Sequence, residues 1–265
     1  MIKNGSPKYY SANGEDFVLW QFFDFAAEGA FLDIGAFDGI HFSNTYSFEQ
    51  SGWRGVCVEP NPDIFPYLLR NRPHSTCLHA ACVSDMRKNG TSFFSEEIGL
   101  LSTTHKVPGY EEFVKERYEK RGLAFSGFKT ATVPAITIDE IIVRHFPGNA
   151  CIDFVSIDVE GAEMDVLQGF DVKRHQPGVI VVESNHPEQS EIIIAHMEHT
   201  HRYHCAGKLV ENLFFVKSRA DVEKVRAIRI HCTIEAQRHP LGERYTAEPY
   251  RQAQAIRKKV LREPR

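Results

Sequence analysis

The stretch Phe31-Leu-Asp-Ile-Gly-Ala-Phe-Asp-Gly39 decides the fold, because it joins a short apolar strand to a glycine-marked turn. Gly35 lets the chain turn sharply and lets its backbone approach a ligand, while Asp33 places a carboxylate near the carboxyl end of the strand. A second apolar run, residues 55–58, is followed by Glu59. A carboxylate there can accept hydrogen bonds from both ribose hydroxyls of an adenosine cofactor. Together the two runs predict an α/β sheet that binds such a cofactor at its carboxyl edge.

The same turn lacks the dinucleotide fingerprint GxGxxG. The second glycine of that motif, which admits a pyrophosphate, would stand at position 37, where this chain has Phe37. S-adenosylmethionine (SAM) has no pyrophosphate, and its sulfonium and ammonium groups favour an acidic loop. The turn therefore favours SAM and a methyltransferase. Two alternatives stay open, an NAD-linked oxidoreductase on a Rossmann-like fold and a non-catalytic binding protein that keeps the SAM fold.

Strand-like and helical patterns alternate along the chain. Five runs rich in β-branched and aromatic residues read as buried strands, at residues 31–34, 55–58, 76–83, 152–157 and 179–183. Helical patterns lie near them at residues 43–51, 63–71, 162–169 and 188–199, which predicts a largely parallel sheet with right-handed crossovers. Two more runs, 203–206 and 213–217, leave no room for a crossover helix and should form an antiparallel hairpin. We therefore expect an α/β, Rossmann-like fold of the class I SAM-methyltransferase type, with a mostly parallel seven-stranded sheet and a C-terminal antiparallel hairpin.

Two segments lie outside this core. A methyltransferase domain at residues 1–218 is expected to carry an insertion at residues 90–135, placed before the fourth strand where a lid would lie. Within the insertion, residues 110–121 have a charged helical pattern. The remaining residues, 219–265, read as a basic and helical extension with a solvated face. From Lys217 to Arg265 the chain has 13 basic and 6 acidic side chains, against a net charge of -4 for the whole chain.

Composition excludes several classes of protein. With 42% hydrophobic and 25% charged residues, the chain has the composition of a globular protein. Its net charge of -4 gives no global field that would attract nucleic acid. No window approaches the roughly 18 apolar residues of a membrane span, and no signal peptide is apparent. The six cysteines include no CxxC pair and read as buried thiols. We expect a cytoplasmic protein without a nucleic-acid partner, and a homo-oligomer is compatible with the sequence.

Carboxylates also follow the fourth and fifth predicted strands. Asp158 comes directly after the run at 152–157, and Glu183 ends the fifth strand, with Asn185 and His186 behind it. Because the carboxyl ends of parallel strands meet at one edge of the sheet, these side chains should face the ligand. Asp158, Glu183 and His186 are therefore the candidate catalytic residues. Asp158 and Glu183 are also the candidate ligands of a divalent metal.

Several motifs between residue 10 and about residue 217 resemble the FkbM family of SAM-dependent methyltransferases. They are the stretch 31–39 together with Asn13-Gly-Glu-Asp16, Ser43-Asn-Thr45, Gly52-Trp-Arg-Gly-Val-Cys-Val-Glu-Pro-Asn-Pro62, Ala81-Cys-Val-Ser-Asp85 and Ser156-Ile-Asp-Val-Glu-Gly-Ala-Glu163. The resemblance implies transfer of a methyl group from SAM to an oxygen. The acceptor would be a hydroxyl of a small molecule, commonly a sugar, a glycan or a secondary metabolite.

The resemblance also implies which residues hold the cofactor. By position they are Glu15, Asp33, Gly35, Ala36, Asn44, Glu59, Pro60, Ser84, Asp85 and Asp158, and Asp16 would close over the cofactor beside Glu15. Asp158, Glu183 and His186 would face the acceptor. Position 156 is serine where the family pattern leads us to expect lysine, and residues 90–135 match no family pattern. The identity of the acceptor therefore stays open.

Overall fold

The computed structural model describes residues 7–85, 90–106, 108–146, 151–242 and 261–264. Its strands are β1 (Ala30–Ile34), β2 (Arg54–Val58), β3 (Thr76–Leu78), β4 (Ala81–Cys82), β5 (Thr91–Ser95), β6 (Lys129–Val133), β7 (Ala135–Ile136), β8 (Phe154–Ile157), β9 (Val179–Glu183), β10 (His204–Leu209) and β11 (Asn212–Val216). Its helices are α1 (Glu15–Phe22), α2 (Tyr46–Gln50), α3 (Phe65–Asn71), α4 (Tyr110–Glu119), α5 (Ile138–His145), α6 (Glu163–Gln168), α7 (Val172–His175), α8 (Pro187–Ala195) and α9 (Arg219–Ala227). A π-helical turn, His196–His201, directly follows α8.

The main sheet has seven strands in the order β10-β11-β9-β8-β1-β2-β3. The five strands from β9 to β3 run parallel, whereas β11 is antiparallel to both of its neighbours. The expected mostly parallel sheet with a C-terminal antiparallel hairpin is therefore confirmed. Because β2, β1, β8 and β9 are adjacent and parallel, their carboxyl ends form one continuous edge.

Apolar side chains cover both faces of this sheet. Successive residues of a strand point to opposite faces, so Phe31 and Phe154 enter one apolar cluster while Leu32 and Val155 enter the other. The first cluster includes Trp20, which lies on α1. Strands buried on both faces explain why the sequence shows continuous apolar runs rather than alternation.

The third predicted strand is divided in the structure. The sequence predicts one strand at residues 76–83, whereas β3 ends at Leu78 and β4 pairs with β7 in a separate two-stranded sheet. The backbone amides of Ala81 and Val83 donate to the carbonyls of Pro134 and Ile136. The chain therefore changes partners after Leu78, because the strand that returns from the insertion satisfies its backbone groups.

The insertion has its own small core. Strands β5 and β6 form an antiparallel pair, and α4 lies between them in sequence, close to the helical pattern at residues 110–121. Val114 and Tyr118 of α4 are buried against Ile98. The insertion is therefore a packed unit whose position is fixed by apolar contacts.

The sequence predicts a basic and helical C-terminal extension at residues 219–265, of which the structure describes residues 219–242 and 261–264. The extension begins with one helix, α9, but residues 228–242 contain none. Ile230, Cys232 and Ile234 are buried while the residues between them are exposed, and Ile234 forms an isolated bridge with Tyr9. This alternation with a period of two is the pattern of an extended segment. None of the helices among the described residues has the length and apolarity needed to cross a membrane.

Candidate active site

A cavity of about 550 Å³ lies at the carboxyl edge of the main sheet. Residues at the ends of four adjacent strands contribute to its wall, namely Asp33 (β1), Glu59 (β2), Asp158 (β8) and Glu183 (β9). In all, the wall includes ten of the residues predicted from sequence, which are Glu15, Asp33, Gly35, Ala36, Asn44, Glu59, Pro60, Asp158, Glu183 and Asn185. A single row of carboxylates therefore faces the space in which a ligand would bind.

Four predicted site residues are not part of the described cavity wall, namely Asp16, Ser84, Asp85 and His186. The Ser84 hydroxyl donates to Asp165 Oδ1 at 2.5 Å, which ties the chain after β4 to α6. Asp85 follows it outside the wall. His186 is exposed at the start of α8, and its ring lies 6.2 Å from that of Phe113. Where Ser84 and Asp85 were expected, Ala80, Ala81 and Cys82 line the cavity instead.

The glycine turn is held by the strand beside it. The backbone N–H groups of Gly35 and Ala36 both donate to the carbonyl of Val58, each at 3.0 Å. Gly35 has a φ of +84°, and a β-carbon at this position would lie 1.7 Å from the carbonyl oxygen of Asp158. Residue 35 must therefore be glycine because the end of β8 passes against it. The two N–H groups are already used and are not free to bind a phosphate.

Glu59 is buried and accepts two hydrogen bonds from the backbone. Its Oε2 accepts from the N–H of Phe37 at 2.9 Å, and its Oε1 accepts from the N–H of Asn61 at 2.7 Å. Burial raises the pKa of Glu59 to about 7, because these two donors offset only part of the desolvation. Each carboxylate oxygen has a second lone pair, so the group can still accept hydrogen bonds from a ligand.

Asp33 belongs to a buried polar network that the sequence did not reveal. Its Oδ2 accepts from the Thr45 hydroxyl at 2.5 Å and lies 3.9 Å from an Arg72 nitrogen. Arg72 is almost fully buried, and it donates to Glu49 at 2.6 Å and to Thr45 at 2.9 Å. Burial raises the pKa of Asp33, and the Arg72 guanidinium opposes that rise. The network fixes the turn and the strand end that carry the cofactor-side carboxylate.

Glu15 and Asp16 hold the N-terminal segment in place. Glu15 accepts from the backbone N–H of Asn13 at 2.8 Å and from the side-chain amide of Asn212 at 3.0 Å. Asp16 instead accepts from the hydroxyl and the backbone N–H of Ser11, and it is not part of the described cavity wall. Burial raises the pKa of both carboxyl groups, that of Asp16 to about 7. Glu15 thus lines the cavity while Asp16 packs behind it.

Three carboxylates meet at the ends of β8 and β9. One oxygen from each of Asp158, Glu160 and Glu183 lies within 4.8 Å of the others. Desolvation by the surrounding protein raises the pKa of all three, and Asp158 forms a hydrogen bond with Glu183. The second oxygen of Glu183 is buried and has no hydrogen-bond partner among the described residues. These acids would share protons at neutral pH or hold an oxygen-preferring divalent cation. The sequence identified Asp158 and Glu183 for either role but not Glu160.

The loop that carries these acids is fixed by Glu163. One oxygen of Glu163 accepts from the backbone N–H groups of Val159 at 3.2 Å and Gly161 at 3.0 Å, and the other accepts from Gln189 at 2.5 Å. Glu163 is fully buried and is not part of the described wall. It therefore positions the loop between β8 and α6, in which Glu160 adopts a positive φ of 53°.

The insertion supplies another part of the cavity wall. Its contribution is partly apolar and partly basic, and it includes Phe93, Gly99, Leu100, Leu101, Ser102, Thr104, Phe113, Arg117 and Arg121. His239 of the C-terminal extension lies behind this wall, and its Nε2 bonds to the carbonyl of Ile98 at 2.8 Å. The insertion and the C-terminal extension are thus joined beside the cavity.

Comparison with known proteins gives one family match. The model of the methyltransferase FkbM domain matches residues 33–204. Among solved structures, the chain is similar to a precorrin-6y C5,15-methyltransferase from Geobacter metallireducens GS-15, with 12% identity, a TM-score of 0.40, and coverage of 77% of this chain and 87% of that one. It is also similar to a TehB-like SAM-dependent methyltransferase from Corynebacterium glutamicum ATCC 13032 Kitasato, with 11% identity, a TM-score of 0.37, and coverage of 78% and 88%. No curated protein matches the chain.

Proposed function

Since the chain belongs to the FkbM methyltransferase domain family and is thus a SAM-dependent methyltransferase, we propose that it methylates a hydroxyl oxygen of a small molecule. A sugar, a glycan or a hydroxylated secondary metabolite is the acceptor class. The observation that carries this proposal is the row of carboxylates from Glu59 to Glu183 along one cavity. At one end, the row offers hydrogen-bond acceptors to SAM, which is the methyl donor. At the other end, it offers a base to the hydroxyl that receives the methyl group.

The donor end of the cavity fits SAM better than a dinucleotide. A pyrophosphate needs free backbone N–H donors, and those of Gly35 and Ala36 both bond to Val58. A cationic donor instead favours acidic neighbours, which Asp33 and Glu15 supply. These contacts argue against the NAD-linked alternative. SAM, when bound, supplies an electrophilic methyl group and leaves as a neutral thioether.

We assign the cofactor-binding roles along the edge of the sheet. Glu59, at the end of β2, accepts the ribose hydroxyls, while Asp33 and the neighbouring Asn44 bind the methionine portion. The Asn44 amide donates to the Ser156 hydroxyl at 3.0 Å, which holds the Asn44 side chain beside β8. Three strand spacings separate β2 from β9, or about 14 Å at the usual distance between strands. The acids at β8 and β9 therefore face the acceptor.

Asp158 and Glu183 form the base in this proposal. Desolvation raises the pKa values of both carboxyl groups, and the hydrogen bond between them lets the pair share one proton while the other member is ionised. The ionised member can take the proton of an acceptor hydroxyl, a contribution of about 10²–10⁴-fold to the rate. His186 is an alternative base, but it lies outside the described wall, whereas Asp158 and Glu183 are part of it.

A divalent cation is the alternative role of the same acids. Asp158, Glu160 and Glu183 offer three oxygens within 4.8 Å of one another, which suits a magnesium-like ion. In that case all three would be ionised and would orient the acceptor oxygen rather than remove its proton. Sensitivity to chelation separates the two roles.

Binding of S-adenosylhomocysteine (SAH) and transfer of radiolabelled methyl groups test the proposal. We expect SAH to bind the full chain in calorimetry, and hydroxylated sugars or metabolites to be labelled. Asp158→Asn should lower the methyl-transfer rate at least about 100-fold while SAH affinity changes little. Asp165→Asn, on α6 outside the described wall, is the control. A folded protein that binds NADH but not SAH would overturn the proposal.

A further inference from the structure

The charges of the cavity wall are divided between its two sides. Among the described residues of the wall, Arg117 and Arg121 are the only Lys or Arg side chains, and both come from the insertion. The acids of the wall lie elsewhere, and they are Glu15, Asp33, Glu59, Asp158, Glu160, Glu183 and Glu211. The cavity therefore has an acidic floor at the sheet edge and a basic wall at α4.

The two arginines follow one face of α4 and the turn that ends it. Phe113 and Arg117 are four residues apart and therefore lie on one face of α4, Arg121 lies in the turn after the helix, and all three line the cavity. The Arg117 guanidinium carbon lies 5.0 Å from the centre of the Phe113 ring, and an Arg121 nitrogen donates to the carbonyl of Arg117 at 3.1 Å. The Arg117 guanidinium is thus held at the Phe113 ring and the Arg121 guanidinium at the backbone of Arg117, and both residues line the cavity.

Neither arginine has a carboxylate partner among the described residues. Their neighbours do, since Lys106 pairs with Glu111 at 3.0 Å and Lys120 pairs with Glu116 at 3.9 Å. Two guanidinium groups that line one partly enclosed cavity without a carboxylate partner attract an anion to it. The planar donor fork of arginine matches a carboxylate or a phosphate in a bidentate geometry.

We propose that Arg117 and Arg121 bind an anionic group of the acceptor, a carboxylate or a phosphate, so that the substrates are hydroxylated anions rather than neutral sugars. This inference rests on the proposed methylation of a hydroxyl in the same cavity. The acidic floor repels the anion, and the basic wall attracts it. The acceptor therefore enters with its charged group at α4 and its hydroxyl towards Asp158 and Glu183.

Matched pairs of acceptors test this proposal in the full chain. Glucuronic acid and glucose 1-phosphate are each compared with glucose for methyl transfer, which also distinguishes a carboxylate from a phosphate. In parallel, inorganic phosphate is titrated into the SAH-loaded protein by calorimetry. The variant Arg117→Gln/Arg121→Gln is compared with Lys115→Gln/Lys120→Gln, which removes the same charge from exposed positions of the same segment.

We expect phosphate to bind the wild type and the lysine variant, and binding to the arginine variant to weaken at least about tenfold. Anionic acceptors should exceed glucose by at least about tenfold in kcat/KM, and the arginine variant should lose that preference while its SAH affinity is unchanged. The proposal would be overturned if the two variants bound phosphate equally or if the wild type bound no phosphate. It would also be overturned if the wild type methylated glucose as efficiently as the anionic acceptors. The phosphate titration involves no methyl transfer, so a protein that binds SAH but not phosphate contradicts only the role of the two arginines. A wild type that fails to bind SAH would instead overturn the proposed function.

Discussion

The carbonyl oxygen of Asp158 lies directly against Gly35, so that a β-carbon on residue 35 would approach it to 1.7 Å. The turn on the cofactor side and the strand end on the acceptor side are thus in backbone contact. Asp158 also donates its N–H to the carbonyl of Ile34 at 2.9 Å, which fixes the two segments relative to each other. The distance between the donor and acceptor ends of the cavity is therefore set by the sheet itself.

Replacing Gly35 with alanine should strongly destabilise the fold. The added carbon overlaps a backbone atom that no side-chain rotation can move, so we expect a loss of at least about 3 kcal/mol in the free energy of unfolding. Gly161→Ala is the matched control, because Gly161 also has a positive φ, of 97°, but no atom lies within 4 Å of the position that its β-carbon would take. The control should lose only about 1–2 kcal/mol. Urea denaturation measures both, and equal losses would contradict the steric explanation.

Arg72 should contribute more to stability than its neighbour Arg70. Arg72→Ala leaves the buried carboxylate of Glu49 without its cation, which should cost about 3–5 kcal/mol of unfolding free energy. Arg70→Ala removes an exposed arginine from α3, two residues before Arg72, and should change stability by about 0.5 kcal/mol or less. The measurement is the urea midpoint together with its slope. A difference below about 1 kcal/mol between the variants would show that the network is not stabilising.

The contrast between Gly35 and Arg72 shows how much the sequence could reveal. Gly35 and Glu59 were predictable because each follows a short apolar run, and the ends of parallel strands meet at one edge. The burial of Arg72 was not predictable, since a single arginine near the end of a helix is typical of a surface residue. Its burial depends on Glu49 and Thr45, which lie far from it in sequence.

The insertion and the extension show the same limit. The helical pattern at residues 110–121 predicted α4, but not that Arg117 and Arg121 would face the cavity, because that depends on how the insertion packs. In the extension, the prediction of a helical segment followed the net positive charge and overlooked the spacing of the apolar residues. Ile230, Cys232 and Ile234 alternate with polar residues, and this period of two predicts an extended, half-buried segment rather than a helix.

Glu59→Gln should weaken the binding of SAH. The amide places an NH₂ group against the N–H of Phe37 or Asn61 and removes the charge that accepts the ribose hydroxyls. We expect SAH affinity to fall about 10- to 100-fold in calorimetry at pH 8, above the raised pKa of Glu59 of about 7. Asp63→Asn, at an exposed position nearby, should keep wild-type affinity. Unchanged affinity in a folded Glu59→Gln protein would remove Glu59 from the ribose site.

Raised carboxyl pKa values predict how stability depends on pH. Between the ordinary pKa of Glu183 near 4.5 and its raised value, the folded protein holds a proton that the unfolded chain has released. The free energy of unfolding therefore falls as pH rises through this window. Glu183→Gln removes this pH-dependent contribution to the free energy of unfolding. The melting temperature of the variant minus that of the wild type should therefore increase by about 2–4 °C or more from pH 5 to pH 8. Exposed Glu188→Gln should show no such trend, and parallel curves for Glu183→Gln and wild type would contradict the assignment.

Chelation should leave methyl transfer intact if Asp158 and Glu183 act as a proton-sharing pair. We expect the rate in EDTA to stay within about twofold of the rate with added Mg²⁺, because the base needs no cation. Glu160→Gln should then alter kcat by less than about tenfold, since its carboxylate is not part of the hydrogen-bonded pair. If EDTA abolished activity, Mg²⁺ restored it and Glu160→Gln raised the Mg²⁺ concentration required, the three carboxylates would be metal ligands instead. In that case Asp158, Glu160 and Glu183 would all be ionised in the working enzyme, and the rise in stability of Glu183→Gln with pH would disappear when Mg²⁺ is present.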